Sequence, residues 1–150
     1  MSASTSTVYT RSQASSTTLA GTGALVLLGR FLFVLIFLMS APMHFSPQII
    51  AFAAAKGVPL ASIAVPVSGV IALGGGLSIL LGYRAKIGAW LLVLFLVAVT
   101  PLMHNFWTVA DPMMRQMDFA NFMKNVSMAG AALFITQFGA GPWSLDARRK

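Results

Sequence analysis

The sequence has 150 residues, of which 57% are hydrophobic and only 9% are charged. Soluble domains average roughly 25% charged residues, so the composition excludes an ordinary soluble protein and indicates an integral membrane protein. There is no cysteine and no glutamate, and the only acids are Asp111, Asp118 and Asp146. This inventory excludes disulfides, thiolate chemistry and iron–sulfur clusters. It also leaves few groups for acid–base or two-metal catalysis.

The net charge of +7 comes from ten Lys and Arg residues against three Asp. In a chain this apolar, scattered basic residues indicate orientation in the bilayer and contact with lipid headgroups. Nucleic acid is not expected as a partner, because no basic face interleaved with aromatic residues is present.

Four segments approach the roughly 20 apolar residues that a membrane-spanning helix needs. They run from Ala24 to Phe45, Leu60 to Gly82, Ile87 to Met103 and Phe119 to Gly139. The fourth is the weakest, because it contains Lys124, Asn125 and Gln137. We therefore predict an all-α protein, an integral membrane four-helix bundle occupying residues 24–146.

Two tails flank this predicted membrane domain. Residues 1–23 are rich in Ser and Thr and residues 147–150 are basic. A disordered cytoplasmic tail, a transit peptide and part of a secretory signal are all compatible with the first of them. An ordered arm in a larger complex is a further interpretation.

Two longer links carry the signals that open helices. Ser46-Pro47 precedes a short apolar run that ends at Lys56-Gly57, and Asp111-Pro112 repeats the opening signal. We expect a short interfacial helix in each link.

The Lys and Arg residues divide unevenly between the two sides of this arrangement. The two tails and the 83–86 link hold six of them, whereas the two longer links together with Lys124 hold three. The positive-inside rule then places both termini in the cytoplasm and the longer links outside, in a bacterial cytoplasmic membrane.

The first and third helices end in similar segments, SAPMHF and TPLMHNF. Because these two helices would cross the membrane in the same direction, the similarity indicates two duplicated helical hairpins forming a parallel repeat. The alternative is that the similarity is coincidental, because Gly, Pro and interfacial His are common at the ends of helices. In the second helix, Ser68, Ala72 and Gly76 are spaced for close helix packing.

The predicted orientation brings most polar side chains to the outer ends of the helices. These candidates for binding a ligand or a quinone are His44, His104, Asn105, Trp107, Asp111, Lys124 and Asn125. Asp111 or Asp118 is expected to pair with Lys124, since an amine at that depth needs a partner. The other interpretations are an interhelical hydrogen-bond lock and plain snorkelling.

The two histidines allow several interpretations. They could act as axial ligands of a haem, as hydrogen-bonding groups for a quinone carbonyl, or simply as interfacial residues. Copper(I) could be bound by Met43, His44, Met103 and His104, because thioether and imidazole ligands suit that ion; methionine is also a common packing residue. No metal or cofactor is firmly implied, and a quinone is compatible with these residues.

Three basic residues are candidates for contact with a partner or with lipid: Arg30, Arg84 and Lys86. For Arg30, which lies within the first helix, snorkelling to inner headgroups is the favoured interpretation.

The order of several motifs resembles the DoxX family of small four-helix bacterial membrane proteins. The motifs are GRFLFVLIFLMSAPMHF, GVP, SGVIALGGGLSILLGYRAK, FMKNVSMAGAALF and GAGPWSLD, which together cover Gly29 to Asp146. The resemblance implies a multi-pass protein of the cytoplasmic membrane that is often associated with redox partners. Relatives in that family include a subunit of a thiosulfate–quinone oxidoreductase, and many carry a Glu where this chain has Ala72 and a Lys where it has His44. Because this chain lacks that Glu, we do not expect it to oxidise thiosulfate.

The leading hypothesis is therefore an accessory membrane subunit, non-catalytic alone, of a larger redox or quinone-linked complex. Two alternatives stay open. One is a quinone-linked oxidoreductase component with an outer polar pocket around His44, His104 and Lys124. The other is a carrier of copper or of a small solute.

Overall fold

The computed structural model describes the backbone of residues 3–149 and the side chains of residues 21–149. Most of the predicted N-terminal tail, residues 1–23, and the last residue of the predicted C-terminal tail lie outside the described side chains. The described chain contains five α-helices: α1 (Ala3–Ser40), α2 (Pro47–Ala55), α3 (Ala61–Leu81), α4 (Ala85–Met103) and α5 (Pro112–Phe138). Short 3₁₀ helices occupy Ala41–Phe45, Phe106–Thr108 and Ala147–Arg149. The all-α prediction is confirmed.

Two helices begin where their capping residues predict. The Ser46 hydroxyl accepts the backbone N–H of Ile49 at 3.3 Å, and Pro47 takes the first position of α2. At the start of α5, the carboxylate of Asp111 accepts the N–H of Met114 at 2.8 Å. Each cap satisfies a backbone donor that the first helical turn leaves unpaired. The Asp111-Pro112 signal opens α5 itself, and the short helix in that link is the 3₁₀ turn Phe106–Thr108.

Helix α3 packs against both α1 and α4, and α4 also packs against α5. Their shared core consists of Val34, Phe37, Ala72, Ile79, Ala89, Leu92 and Leu96. A smaller apolar cluster, Ala53, Ala61 and Val65, joins α2 to α3. The core therefore unites α1, α3 and α4, and partly buried Met128, Ala129 and Ile135 of α5 pack against it. Helix α2 covers one end of α3.

Glycines allow α3 to approach α1 and α4 closely. A Cβ added to Gly75 would lie 2.9 Å from the carbonyl oxygen of Gly88, and a Cβ on Gly76 would lie 3.0 Å from the side chain of Leu38. In a bilayer, such close backbone approach supplies association energy that the hydrophobic effect cannot supply between helices. The small residues predicted as a packing seam thus serve two interfaces, with Gly76 facing α1 and Gly75 facing α4.

Among the residues that the structure describes, three segments are long and apolar enough to cross a membrane: Gly21–Phe45, Ala61–Leu81 and Ala85–Thr108. Helix α5 has 27 residues, ample length for a crossing, but Asn121, Lys124 and Asn125 lower its apolar character. A bundle of four spanning helices is therefore not confirmed, although the fourth long helix is present and begins seven residues earlier than predicted. The placement of both termini on one side depends on that fourth crossing and stays a prediction.

Candidate functional site

Four polar side chains meet at the Met103 end of α4. The ammonium of Lys56, just after α2, lies 3.2 Å from Oδ2 of Asp118 on α5 and donates to Oδ1 of Asn105 at 3.3 Å. Nδ1 of His104 lies 3.5 Å from Oδ1 of the same aspartate. We call Lys56, His104, Asn105 and Asp118 the polar cluster. It joins the α2–α3 link, the end of α4 and the start of α5.

The imidazole of His104 is the least satisfied member of this cluster. Its Nδ1 is buried and has no hydrogen-bond partner among the described residues, because 3.5 Å is too long for a good bond to the Asp118 carboxylate. The side chains of His104, Lys56 and Asp118 are each only about a quarter exposed or less. The arrangement can lock the links together. It also brings a carboxylate near an imidazole, a pair able to exchange a proton after a small movement.

Two members of the polar cluster, Lys56 and Asp118, were not among the candidate site residues from sequence. Lys56 was counted only as one charge in a link, and Asp118 only as one of two partners for Lys124. The sequence did contain a signal for this pair. Lys56 follows α2 and Asp118 lies early in α5, and two opposite charges that lie near a membrane are expected to pair.

The remaining predicted polar residues have separate partners. Lys124, expected to pair with Asp111 or Asp118, donates instead to Oδ1 of Asn121 one turn earlier, at 2.9 Å. Asn125 is buried within the bundle, and Asp111 caps α5. The structure thus divides the predicted single polar layer into several distinct environments.

Trp107 belongs to an aromatic group next to the polar cluster. Its ring lies edge-to-face with Phe106 and Phe122, with ring centroids 5.1 and 6.0 Å apart. Phe106 also packs against Phe119 in the same geometry. This packing fixes the link between α4 and α5, and Trp107 stays about half exposed at its edge.

His44 is in a different environment from His104. Its Nδ1 lies 3.0 Å from the carbonyl oxygen of Ser40, and its ring packs near Phe95, with centroids 6.0 Å apart. It lines a cavity of about 360 Å³ between α2, α3 and α4, whose other lining residues are almost all apolar. The similar MHF and MHNF segments therefore contain histidines with different partners.

A metal centre gains no support from the described residues. They contain no group of three or more His, Cys, Asp or Glu side chains that could hold a metal ion. Met43 is more than half exposed and His104 faces Asp118. The Met43, His44, Met103 and His104 copper site stays a prediction.

The opposite end of α4 is held by the C-terminal segment 139–149. Asp146 accepts the backbone N–H groups of Arg84 and Ala85 at 2.8 and 3.0 Å. Lys86 donates to the carbonyl oxygen of Gln137 at 2.7 Å. Arg84 and Lys86 were predicted to contact a partner or lipid. In the structure, the backbone N–H of Arg84 and the ammonium of Lys86 instead form hydrogen bonds within the chain.

Arg30 contacts the C-terminal segment of the chain through its side chain. Its side chain is buried, with 4% exposure, and Nη2 donates to the carbonyl oxygen of Trp143 at 2.6 Å. Nε and Nη1 have no hydrogen-bond partner among the described residues. The guanidinium therefore ties α1 to the C-terminal segment.

The three long apolar segments and the small-residue interfaces between them define a multi-pass α-helical membrane protein. Its sequence matches the model of the SURF4 family over residues 4–150, and the chain belongs to that family. It is also 29% identical, over 126 residues, to the inner membrane protein YphA of Escherichia coli strain K12. That alignment covers 83% of this chain and 89% of the relative. No solved structure matches the chain.

This family assignment corrects the resemblance to DoxX proteins, which was wrong. The motifs that carried it are apolar helical runs with Gly, Pro and other small residues at helix ends and helix contacts. Such residues recur in small helical membrane proteins for packing reasons alone. The redox association that the resemblance implied loses its basis with it.

Proposed function

We propose that this SURF4-family protein is an accessory membrane subunit that is non-catalytic alone and docks with another membrane protein through α5. The observation that carries the proposal is a methionine surface on the first half of α5, defined by Met113, Met114, Met117 and Met123. These side chains are 74, 62, 60 and 45% exposed. Flexible, polarizable methionines are frequent on surfaces that adapt to a protein partner.

Charge near this methionine surface supports a protein partner over lipid tails. Arg115 and Lys124 lie on the same half of α5 and are both exposed. Hydrocarbon solvates such charges poorly, whereas a partner that carries apolar and acidic side chains would complement both features. The low apolar character of α5 has the same explanation, since a helix covered by protein does not need a lipid-compatible surface.

The roles of the acids support a non-catalytic protein. Asp111 caps α5, Asp118 pairs with Lys56, and Asp146 caps α4. Each of the three carboxylates in the chain is thus used to hold the fold. The oxidoreductase alternative needs His44, His104 and Lys124 to act together, and these side chains have three different sets of partners.

Two finer predictions remain part of this proposal. They are a location in the bacterial inner membrane and cytoplasmic termini. A redox or quinone-linked character of the partner complex stays a prediction with no specific observation in its favour. The relative YphA is named as an inner membrane protein, which supports the location. A carrier of copper or of a small solute stays a prediction with no specific observation in its favour.

Site-specific photo-crosslinking tests the docking surface. A photoreactive amino acid replaces Met117, and in a matched control it replaces Val97, which is 65% exposed on the spanning helix α4. Irradiation of native membranes should give a discrete protein adduct from position 117 and lipid adducts from position 97. Lipid adducts alone at both positions, together with purification as a lone monomer or homodimer, would contradict the subunit proposal.

A further inference from the structure

The cavity beside His44 opens sideways from the bundle. Its rim includes Val67, Leu94 and Leu102, which are 50, 63 and 41% exposed on helices able to span a membrane. The side chains on these faces lie against hydrocarbon in a bilayer. A ligand would therefore enter from the membrane and not from water.

The volume of the cavity limits what it can hold. At about 360 Å³ it is more than twice the roughly 150 Å³ of an apolar cavity that accommodates benzene. It lies near the lower end of the roughly 300–1,000 Å³ range of small-molecule pockets. One ring with a short chain, or one chain segment, fits this space, whereas a whole two-chain lipid does not.

His44 presents a hydrogen-bond acceptor at this cavity. The partner of its Nδ1 is the carbonyl oxygen of Ser40, and a carbonyl oxygen can only accept. Nδ1 therefore carries the proton, and in the neutral imidazole Nε2 is left with its lone pair. The ring is held in place because its Cβ packs over Gly69, where an added Cβ would lie only 2.7 Å away.

Ser68 is the other polar residue that lines the cavity, and it too offers a hydrogen-bond acceptor and no free donor. Its hydroxyl donates to the carbonyl oxygen of Val65 at 2.7 Å. With its proton used there, the Ser68 oxygen can offer only lone pairs to a ligand. The lining of His44, Ser68 and otherwise apolar side chains thus contains acceptors without a free donor.

From this pattern we propose that the cavity binds a membrane-soluble molecule with an apolar body and a hydroxyl group, which donates its proton to Nε2 of His44 or Oγ of Ser68. A long-chain alcohol and an isoprenoid hydroquinone share this chemistry. An oxidised quinone or an ether does not, because it brings only acceptors to a site that already consists of acceptors. This ligand preference is independent of the docking surface on α5.

Competition for a photoreactive long-chain alcohol tests the proposal on the full-length protein in lipid nanodiscs. The unlabelled alcohol should displace the probe, and its methyl ether, which has the same body without the donor, should compete about tenfold less well, the loss expected for one hydrogen bond. Equal competition by alcohol and ether overturns the role assigned to the acceptors. No displacement by any hydroxyl compound overturns the site itself.

Variants locate the binding within the structure. Ala98→Phe should fill the cavity and abolish specific labelling, whereas Val97→Phe, on the neighbouring outward position of α4, should leave labelling unchanged. Ser68→Ala and His44→Ala should each reduce the difference between alcohol and ether. If His44→Ala fails to fold, Ser68→Ala and Ala98→Phe still decide the matter. If labelling survives Ala98→Phe, the probe does not bind in this cavity. If Ala98→Phe and Val97→Phe abolish labelling equally, the assignment of binding to the cavity is also overturned.

Two further competitors identify the source of the hydroxyl. If an isoprenoid hydroquinone displaces the probe and a prenyl alcohol does not, the ligand comes from the reduced quinone pool. Displacement by both assigns it to lipid alcohols in general. In either case the matching oxidised quinone should compete about tenfold less well, and an oxidised form that competes equally overturns the proposal.

Discussion

The carboxylate of Asp146 accepts the backbone N–H of Ala85 at 3.0 Å and that of Arg84 at 2.8 Å. A residue close to the C-terminus therefore caps the start of a membrane-spanning helix. Backbone bonds from Leu145 to the carbonyl oxygen of Leu81 and from Asp146 to that of Gly82 run alongside. The segment 139–149 is consequently part of the bundle, because it satisfies polar groups at the α3–α4 turn.

Replacing Asp146 with alanine should destabilise the protein by about 1 kcal/mol, within the roughly 0.5–2 kcal/mol range of lost N-caps. It should also expose the C-terminal segment to protease, because the bonds that hold it weaken together. Thermal unfolding in mild detergent and limited proteolysis measure the two effects. Asp111→Ala removes the corresponding cap from α5 and should leave the C-terminal segment protected. Equal protease sensitivity in both variants would contradict the role of Asp146.

Lys56 and Asp118 should show measurable coupling in a double-mutant cycle. The two side chains are only 23 and 21% exposed and 3.2 Å apart, so water screens them less than a surface pair. Lys56→Met and Asp118→Asn should couple by about 0.5–3 kcal/mol in unfolding free energy. The pair Lys56→Met and Asp111→Asn is the control and should be additive, since Asp111 is committed to capping α5. A coupling energy below about 0.3 kcal/mol for Lys56–Asp118 would mean that this contact does not contribute to the stability of the fold.

The long helices and the local caps Ser46 and Asp111 were predictable from local sequence, whereas the Asp146 cap of α4 and the partners of the other polar residues were not. The signals that predict the helices are local. They are the apolar runs and the capping pairs Ser46-Pro47 and Asp111-Pro112, which act within one or two helical turns. Lys56 and Asp118 are 62 residues apart, and Arg30 and Trp143 are 113 residues apart. Such contacts depend on how the helices pack. The motifs that suggested a family were likewise packing residues, which explains why they named the wrong one.

Gly82→Ala should be among the most damaging small substitutions in the chain. Gly82 has a φ of +63°, a conformation costly for residues with a Cβ, and an added Cβ would collide with Ser144 and the Arg30 guanidinium. We expect a loss of about 2 kcal/mol or more, since strain and overpacking add. Gly74→Ala in α3 is the control, because open space surrounds it, and it should be neutral or stabilising. The order of the two melting temperatures decides the prediction, and a reversed order contradicts it.

Gly88→Ala should separate α3 from α4 at their closest approach. Its Cβ would lie 2.9 Å from the carbonyl oxygen of Gly75 and closer still to the side chain of Ser78, so the helices would have to move apart. Overpacking of this kind costs about 1–3 kcal/mol, and in a membrane no hydrophobic force compensates for the lost packing. Gly130→Ala on α5, where nothing lies within 4 Å, should instead stabilise its helix by about 0.5–1 kcal/mol. Crosslinking of cysteines introduced in place of Ala72 on α3 and Leu92 on α4, which share the core between these helices, should slow in the Gly88 variant only. An unchanged rate with a lowered melting temperature would place the damage elsewhere than the α3–α4 contact.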